Sequence, residues 1–355
     1  MAIVINGSGT VTGLAVGGLP DGTVDAGTLA TDSVTAAKIA ANSVDSAELV
    51  DGAVDDSHMA SISGRKNILI NGGFEIAQRG TTISGIGSAK YTLDRWNAIS
   101  SGADSTVTQV SGATYPKALR LTGAGSTSGT YLQQKIESTN SRHLAGQTAT
   151  FSVYLRASTA INIEFSIKYA TSADNFGGTT SIASTTFNVT TTDTKFTWTG
   201  SIPSAATTGI QVELKISSQG SAWYEASNAQ LELGSTATDF EHRSYGEELT
   251  LCQRYFQRYQ AEQQEWLYNE GNAAHGKWWQ LVYSEMRAGP TVTFDSGWTG
   301  GGAAGLSGTV TAISASSNPY RLSARVTFSA TGGSAYNVHH TDSFNGSYCY
   351  LDAEL

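Results

Sequence analysis

Charge is what this chain has least of. Charged residues make up 14% of its 355 positions, where ordinary globular proteins carry roughly 25%. Polarity comes instead from Ser, Thr and 39 glycines, a profile that points to an all-β, loop-rich or fibrous protein. The formal charge is −9 and no Lys/Arg run occurs. A phosphate backbone would be repelled, which excludes nucleic acid as a partner. No apolar run approaches the ~20 residues of a membrane span. The opening stretch Met1 to Gly7 has neither a basic segment nor a signal-like apolar core. The expectation is a soluble chain made in the cytoplasm, without membrane insertion. Cysteine is scarce too: Cys252 and Cys349 form no CxxC pair, so neither a disulfide framework nor a zinc site is signalled, and both read as half-buried thiols.

The locally encoded catalytic motifs are also missing. There is no GxSxG, HExxH, P-loop or EF-hand spacing. Gly300 to Gly305 spells GxGxxG, but "LSGTVTAIS" follows it, a strand where a dinucleotide site needs a helix, so it reads as a hairpin loop. Only a carboxylate pair assembled by the fold would support hydrolysis of a glycan. The expectation is a protein that is not an enzyme.

What is present begins with a repeat. Residues 25–64 stack as four decads, with Leu29, Ile39, Leu49 and Met59 at the fifth place and Val34, Val44 and Val54 at the tenth. Two apolar side chains per ten residues cannot bury a core within one chain, so such a unit needs copies of itself. Identical chains wound about one axis, with Leu29, Val34, Ile39, Val44, Leu49 and Val54 as the seam, make a stalk. A disordered linker is the alternative, favoured by the Ala/Ser/Thr/Asp content. Before the decads, "MAIVINGSGTVTGLAVGGLPDG" reads as short strands and tight turns, suited to a docking tip.

From Asn67 onward the period is two. In "INIEFSIKYA", Ile161, Ile163, Phe165, Ile167 and Tyr169 alternate with Asn162, Glu164, Ser166 and Lys168. "ATFSVYLRA", "KFTWTGSI" and "IQVELKIS" repeat the pattern, so about ten strands in an antiparallel jelly roll are expected. In "GEELTLCQRYFQRYQ", Leu249, Cys252, Phe256 and Tyr259 step at helical spacing after Glu247 and Glu248. The fold class expected is mainly β: a tip at residues 1–24, a trimeric stalk at 25–64, a jelly roll at 65–243, one connecting helix at 244–262 and a β-sandwich knob at 263–355.

Aromatic residues concentrate in that last segment. Sugar rings stack their C–H faces on aromatic planes while their hydroxyls need polar neighbours. The glycan-binding candidates are Trp266, Tyr268, Trp278, Trp298, Tyr336 and His339. Core filling is the competing use, and alternation sends one of Trp278 and Trp279 inward. His339 and His340 are adjacent on a strand and face opposite ways, so they do not share a metal easily. Glu75, in "NGGFE", is expected to open the first sandwich strand. It would either be solvated there or close a structural calcium site with acceptors such as Asn228 or Glu232.

"NILINGGFEIAQRGTT", "YTLDRWNA" and "YEASNAQLELGSTATDFEHRSYGEELTLCQRYFQRY" together resemble the carbohydrate-binding-module-like jelly roll of bacteriophage tail fibre and receptor-binding proteins. "MRAGPTVTF" and the closing "YLDAEL" are similar to the terminal knob of such proteins, and the "SVTAAKIAANSV" decads to their shafts. The resemblance implies a homotrimer in the virion, held by its N-terminus to tail or baseplate proteins, whose distal knob recognises a host surface glycan of lipopolysaccharide type. It also implies that a first-strand Glu helps hold calcium with a late-strand Asp. This chain departs from that pattern with Asn228 and Ala229. A tailspike-like depolymerase and a purely structural virion protein are the alternatives.

Overall fold

The computed structural model describes residues 4–5, 11–12, 66–260, 265–268, 274–282, 284–294, 299–302, 306–318, 321–331, 338–341 and 348–355, with side chains for 66–259, 284–293 and 348–355. The chain divides into two compact units, Met1–Gly64 and Arg65–Leu355. In the first, β1 (Val4–Ile5) and β2 (Val11–Thr12) pair antiparallel. The seam positions Leu29, Val34, Ile39, Val44, Leu49 and Val54 lie outside the described residues.

In the second unit the alternating segments form β3 (Thr82–Ile86), β4 (Lys90–Tyr91), β5 (Asn97–Gly102), β6 (Ser105–Val110), β7 (Ala118–Thr122) and β8 (Thr127–Ile136). After a one-turn helix α1 (Ser138–Ser141) come β9 (Thr148–Ala157), β10 (Ile161–Ser172), β11 (Asn175–Val189), β12 (Thr194–Ser201), β13 (Ile210–Ile216) and β14 (Trp223–Leu233). They make two six-stranded antiparallel sheets, ordered β11-β10-β13-β8-β5-β4 and β12-β9-β14-β7-β6-β3. The chain crosses repeatedly from one sheet to the other, as in a jelly roll.

The core lies between the sheets. Ile163, Phe165 and Ile167 of β10, Val212 and Leu214 of β13, and Phe151, Val153 and Leu155 of β9 are all buried. Phe151 and Phe165, from opposite sheets, stack with centroids 4.2 Å apart and planes 9° from parallel. Such a pair adds about 1 kcal/mol to the area it buries.

The segment before β3 is held by side chains. Asn71 is buried and left-handed at φ 56°. Its amide nitrogen donates to the carbonyls of Ile76 and Asp94, and its amide oxygen accepts from the Ile76 N–H. Trp96 Nε1 donates to the Asn71 carbonyl, and Asn67 Oδ1 accepts from the N–H groups of Leu69 and Leu231. A Cβ on Gly72 would sit 2.1 Å from the Ala229 carbonyl oxygen, which requires glycine there. Glu75 therefore does not open a strand. It sits exposed in this irregular segment, because the Asn71 knot already spends the backbone groups of Ile76 that a ladder would use.

The helix is shorter than its apolar spacing suggests. α2 spans Tyr245–Gln253, with Ser244 Oγ accepting from the Glu247 N–H as its cap. Phe256 and Tyr259 belong instead to β15 (Phe256–Gln260). The Ala353 N–H donates to the Tyr255 carbonyl, and β15 pairs with the strand Tyr348–Asp352, so long-range ladder bonds replace the helical ones. The remaining strands are β16 (Glu265–Tyr268), β17 (Ala274–Val282), β18 (Thr291–Phe294), β19 (Thr299–Gly302), β20 (Leu306–Asn318), β21 (Arg321–Thr331), β22 (Val338–Thr341) and β23 (Tyr348–Asp352). They form sheets β15-β23-β18, β16-β22 and β17-β21-β20-β19. Gly302 faces Leu306 across β19 and β20, as a hairpin at the glycine run requires. Cys252 and Cys349 are free and fully buried rather than half-buried.

β23 and the residues after it lock onto the jelly roll through arginines. Arg95 is buried, lies 3.5 Å over the Tyr255 ring, and is paired with Glu354. Arg79 reaches Asp352 at 3.2 Å and Glu354 at 3.4 Å. The Leu355 carbonyl accepts from Tyr91 Oη at 2.6 Å and Lys135 Nζ at 3.0 Å.

Candidate functional site

Alternation places one set of side chains from β5, β8, β13 and β10 in the core and the other on the outward face of the sheet. Register then aligns the outward set into rows. Asn97 pairs with Gln133, Gln133 with Glu213, and Glu213 with Ser166, so one polar row crosses four neighbouring strands. On one side runs Ile99, Tyr131, Lys215 and Glu164; on the other run Lys135, Gln211 and Lys168.

The side chains of the central row are linked. Gln133 Nε2 donates to Asn97 Oδ1 at 3.0 Å, and Gln211 Nε2 donates to Gln133 Oε1 at 2.8 Å and to Glu213 Oε2 at 3.2 Å. Glu213 Oε1 accepts from Lys168 Nζ at 2.8 Å and Ser166 Oγ at 3.3 Å. Asn97, Gln133, Gln211, Glu213 and Ser166 are each only 4–7% exposed. Longer side chains stand higher beside them: Lys168, Lys215 and Glu164 are 25%, 31% and 40% exposed, and Lys215 lies 5.9 Å from the Tyr131 ring centre.

Two polar atoms of this ladder are unspent. Among the described residues, neither Asn97 Nδ2 nor Gln211 Oε1 has a hydrogen-bond partner. One is a donor and the other an acceptor, the two roles that hydroxyl groups fill. Glu213, with three donors on its carboxylate, is committed to holding the ladder in shape.

Four of the six glycan-binding candidates expected from sequence lie on other strands. Trp266 and Tyr268 are on β16, Trp278 on β17 and His339 on β22, where β16 and β22 pair with Trp266 opposite His340 and Leu267 opposite His339. Their side chains, and Trp298 and Tyr336 altogether, lie outside the described residues. Glu75 and Asn228 line one cavity of about 30 Å³ together with Glu248 and His242. A calcium ion takes 6–8 oxygen ligands. Here the Glu248 carboxylate is occupied by the Asn71 N–H and Arg243, and among the described residues no group of three acids, histidines or cysteines is placed to hold a metal. These residues do not fit the ion. Glu232, the other acceptor considered, binds the Thr238 N–H and hydroxyl.

The sequence did carry the ladder's residues, as the polar half of each alternating strand. It carried no sign of which strands are neighbours or in what register, so nothing singled them out.

The class defined by this fold is an antiparallel jelly-roll β-sandwich with a hydrogen-bonding outer face. No family model matches the chain, and no curated protein matches it. Solved structures similar to it include the enzymatically active domain of tailspike protein 4 of bacteriophage CBA120. That likeness is 15% identical over 48% of this chain and 22% of that one, with a TM-score of 0.35, so the chain spans about a fifth of the tailspike domain's length. The CBM22-1 xylan-binding domain of Paenibacillus barcinonensis Xyn10C is 14% identical over 48% of this chain and 96% of that one, with a TM-score of 0.31. TmCBM61, in complex with β-1,4-galactotriose, is 12% identical over 48% and 100%, with a TM-score of 0.27. Likenesses this distant carry no functional conclusion.

Proposed function

We propose that this protein is a phage tail fibre, a homotrimeric adhesin in the virion that recognises a bacterial surface glycan of lipopolysaccharide type and mediates adsorption. The observation that carries the reading is the ladder on the outward sheet face, with its unspent donor on Asn97 and acceptor on Gln211. A sugar offers hydroxyls that donate and accept, and uncharged amides held in place by their neighbours match them without the cost of burying a charge. Tyr131 beside the ladder supplies a ring on which a pyranose can pack.

In a trimer three such sites would act together. Each could be as weak as roughly millimolar, about 4 kcal/mol, because linked sites gain avidity from effective concentration. The decad repeat supports the trimer, and the resemblance of the "NILINGGFE" and "YTLDRWNA" blocks supports the assignment to tail fibres. The short strands at the N-terminus would dock on tail or baseplate proteins. Binding without cleavage is favoured because Glu213, the carboxylate within the ladder, is taken up by three donors that hold the ladder in shape.

The test is retention of the full chain on a panel of bacterial strains. Binding to some strains and not others is expected, with competition by polysaccharide extracted from a retained strain and no shortening of that polysaccharide. Gln133→Ala with Gln211→Ala should weaken retention at least tenfold. Full retention by this double variant, or retention on no strain, would sink the reading; a shortened polysaccharide would make the protein a depolymerase.

A further inference from the structure

A cavity of about 260 Å³ lies between the jelly roll and α2, bordering the outward face at Lys135. Its lining holds Arg95, Lys135, Arg243 and Arg254, together with His143, and no Asp or Glu. The balancing carboxylates are outside the lining: Glu354 on Arg95, Glu241 and Glu248 on Arg243, and Glu137 on Arg254. The lining therefore includes the cation of each pair and not its carboxylate. Two of these groups are incompletely satisfied. Arg95 and Arg243 are 1% and 4% exposed, and the Nε–H of each is buried without a partner. An unmet buried donor of this kind costs about 1–3 kcal/mol, and an anion nearby lowers that cost.

The lining also has an aliphatic part, made by Ile68, Ile70, Ile136 and Leu251. A volume just under the 300–1,000 Å³ of drug-sized sites suits one sugar unit. Inorganic phosphate would meet the cations and leave the aliphatic wall unused. A neutral sugar would meet the wall and leave the cations unused.

We infer that this cavity binds a carboxylated pyranose, the carboxylate among the arginine and lysine side chains and the ring's C–H face on the isoleucines. Burial, and then Arg95, hold the Lys135 ammonium below its ordinary pKa, so it too gains from an anion. His143 and Asn140 are exposed and mark the side from which a ligand would enter. The inference rests on the reading of the protein as a sugar binder only in the kind of ligand; the site itself uses none of the ladder's linked residues.

The experiment is calorimetric titration of the full chain with methyl β-D-glucuronide, methyl β-D-glucoside and inorganic phosphate. Roughly millimolar binding of the glucuronide is expected, with the other two at least tenfold weaker. His143→Glu, at an exposed position, should weaken the glucuronide about tenfold by placing a negative charge at the mouth. Lys135→Gln should weaken it comparably. Gln133→Ala with Gln211→Ala should leave it unchanged, which separates this site from the sheet face. Glucoside or phosphate binding as tightly as the glucuronide would overturn the inference. So would glucuronide binding that survives both His143→Glu and Lys135→Gln, or no glucuronide binding to a chain that is still retained on bacterial cells.

Discussion

Arg95→Met should be among the most damaging single changes in the second unit. Arg95 is buried between the jelly roll and the residues after β23, and it does three things there: it pairs with Glu354, lies over Tyr255 and donates to the Lys135 carbonyl. Breaking a buried ion pair from one side costs about 3–5 kcal/mol, because the surviving charge stays desolvated. Arg79, 3.4 Å from Glu354, offsets part of that. Loss of the hydrogen bond and of the cation–π contact adds about 1 kcal/mol each. The net loss should be about 4 kcal/mol, read as the shift in denaturant midpoint multiplied by an unchanged slope. Adding Glu354→Gln to Arg95→Met removes the stranded charge and should recover about 2 kcal/mol. A loss under about 1 kcal/mol in the single variant, or a double variant no more stable than the single, would falsify the view that this pair clamps the C-terminal strand to the sandwich.

Two further outcomes rest on the structure and one on the decad repeat. Gly72→Ala should destabilise the jelly roll by several kcal/mol or prevent folding, since its Cβ would lie 2.1 Å from the Ala229 carbonyl oxygen; a melting temperature within a degree of wild type would contradict this. Burial pushes the Cys349 thiol up to about 12 and the Cys252 thiol well above its ordinary value. Neither should react with a thiol reagent at pH 8 until the chain is unfolded, and labelling of the native protein within minutes would show that one of them is accessible. Leu29→Asp should weaken the proposed trimer, measured as molar mass by light scattering on dilution, whereas an equally persistent trimer would favour a linker over a stalk.

The arginine clamp and the asparagine knot change the meaning of the most recognisable blocks of sequence. "NILINGGFE" and "YTLDRWNA" contain Asn67, Asn71, Gly72, Asp94, Arg95 and Trp96, and each of these holds backbone or a neighbouring segment rather than facing solvent. Two of them, Asn67 and Arg95, also border the large cavity. Apart from Asn97, which belongs to the ladder, these residues read as the frame of the fold, and the rest of the outward ladder has no distinctive local pattern.

By itself the sequence determined the strands, and the reason is local. In β10 and β13 a period of two puts Ile163, Phe165, Ile167, Val212 and Leu214 on one face, and those residues are the core. Glu247 and Glu248 likewise marked where α2 begins. Tertiary structure decided where it ends, because β23 offers Phe256–Gln260 a ladder that outweighs helical spacing. It also decided that Glu75 sits in an irregular segment, since the Asn71 side chain takes the backbone groups of Ile76. Register between strands distant in sequence brought Asn97, Gln133, Glu213 and Ser166 into one row, and packing of α2 on the sandwich set four cations around one cavity. Neither arrangement is a property of any short stretch, because each depends on which segments become neighbours when the chain closes.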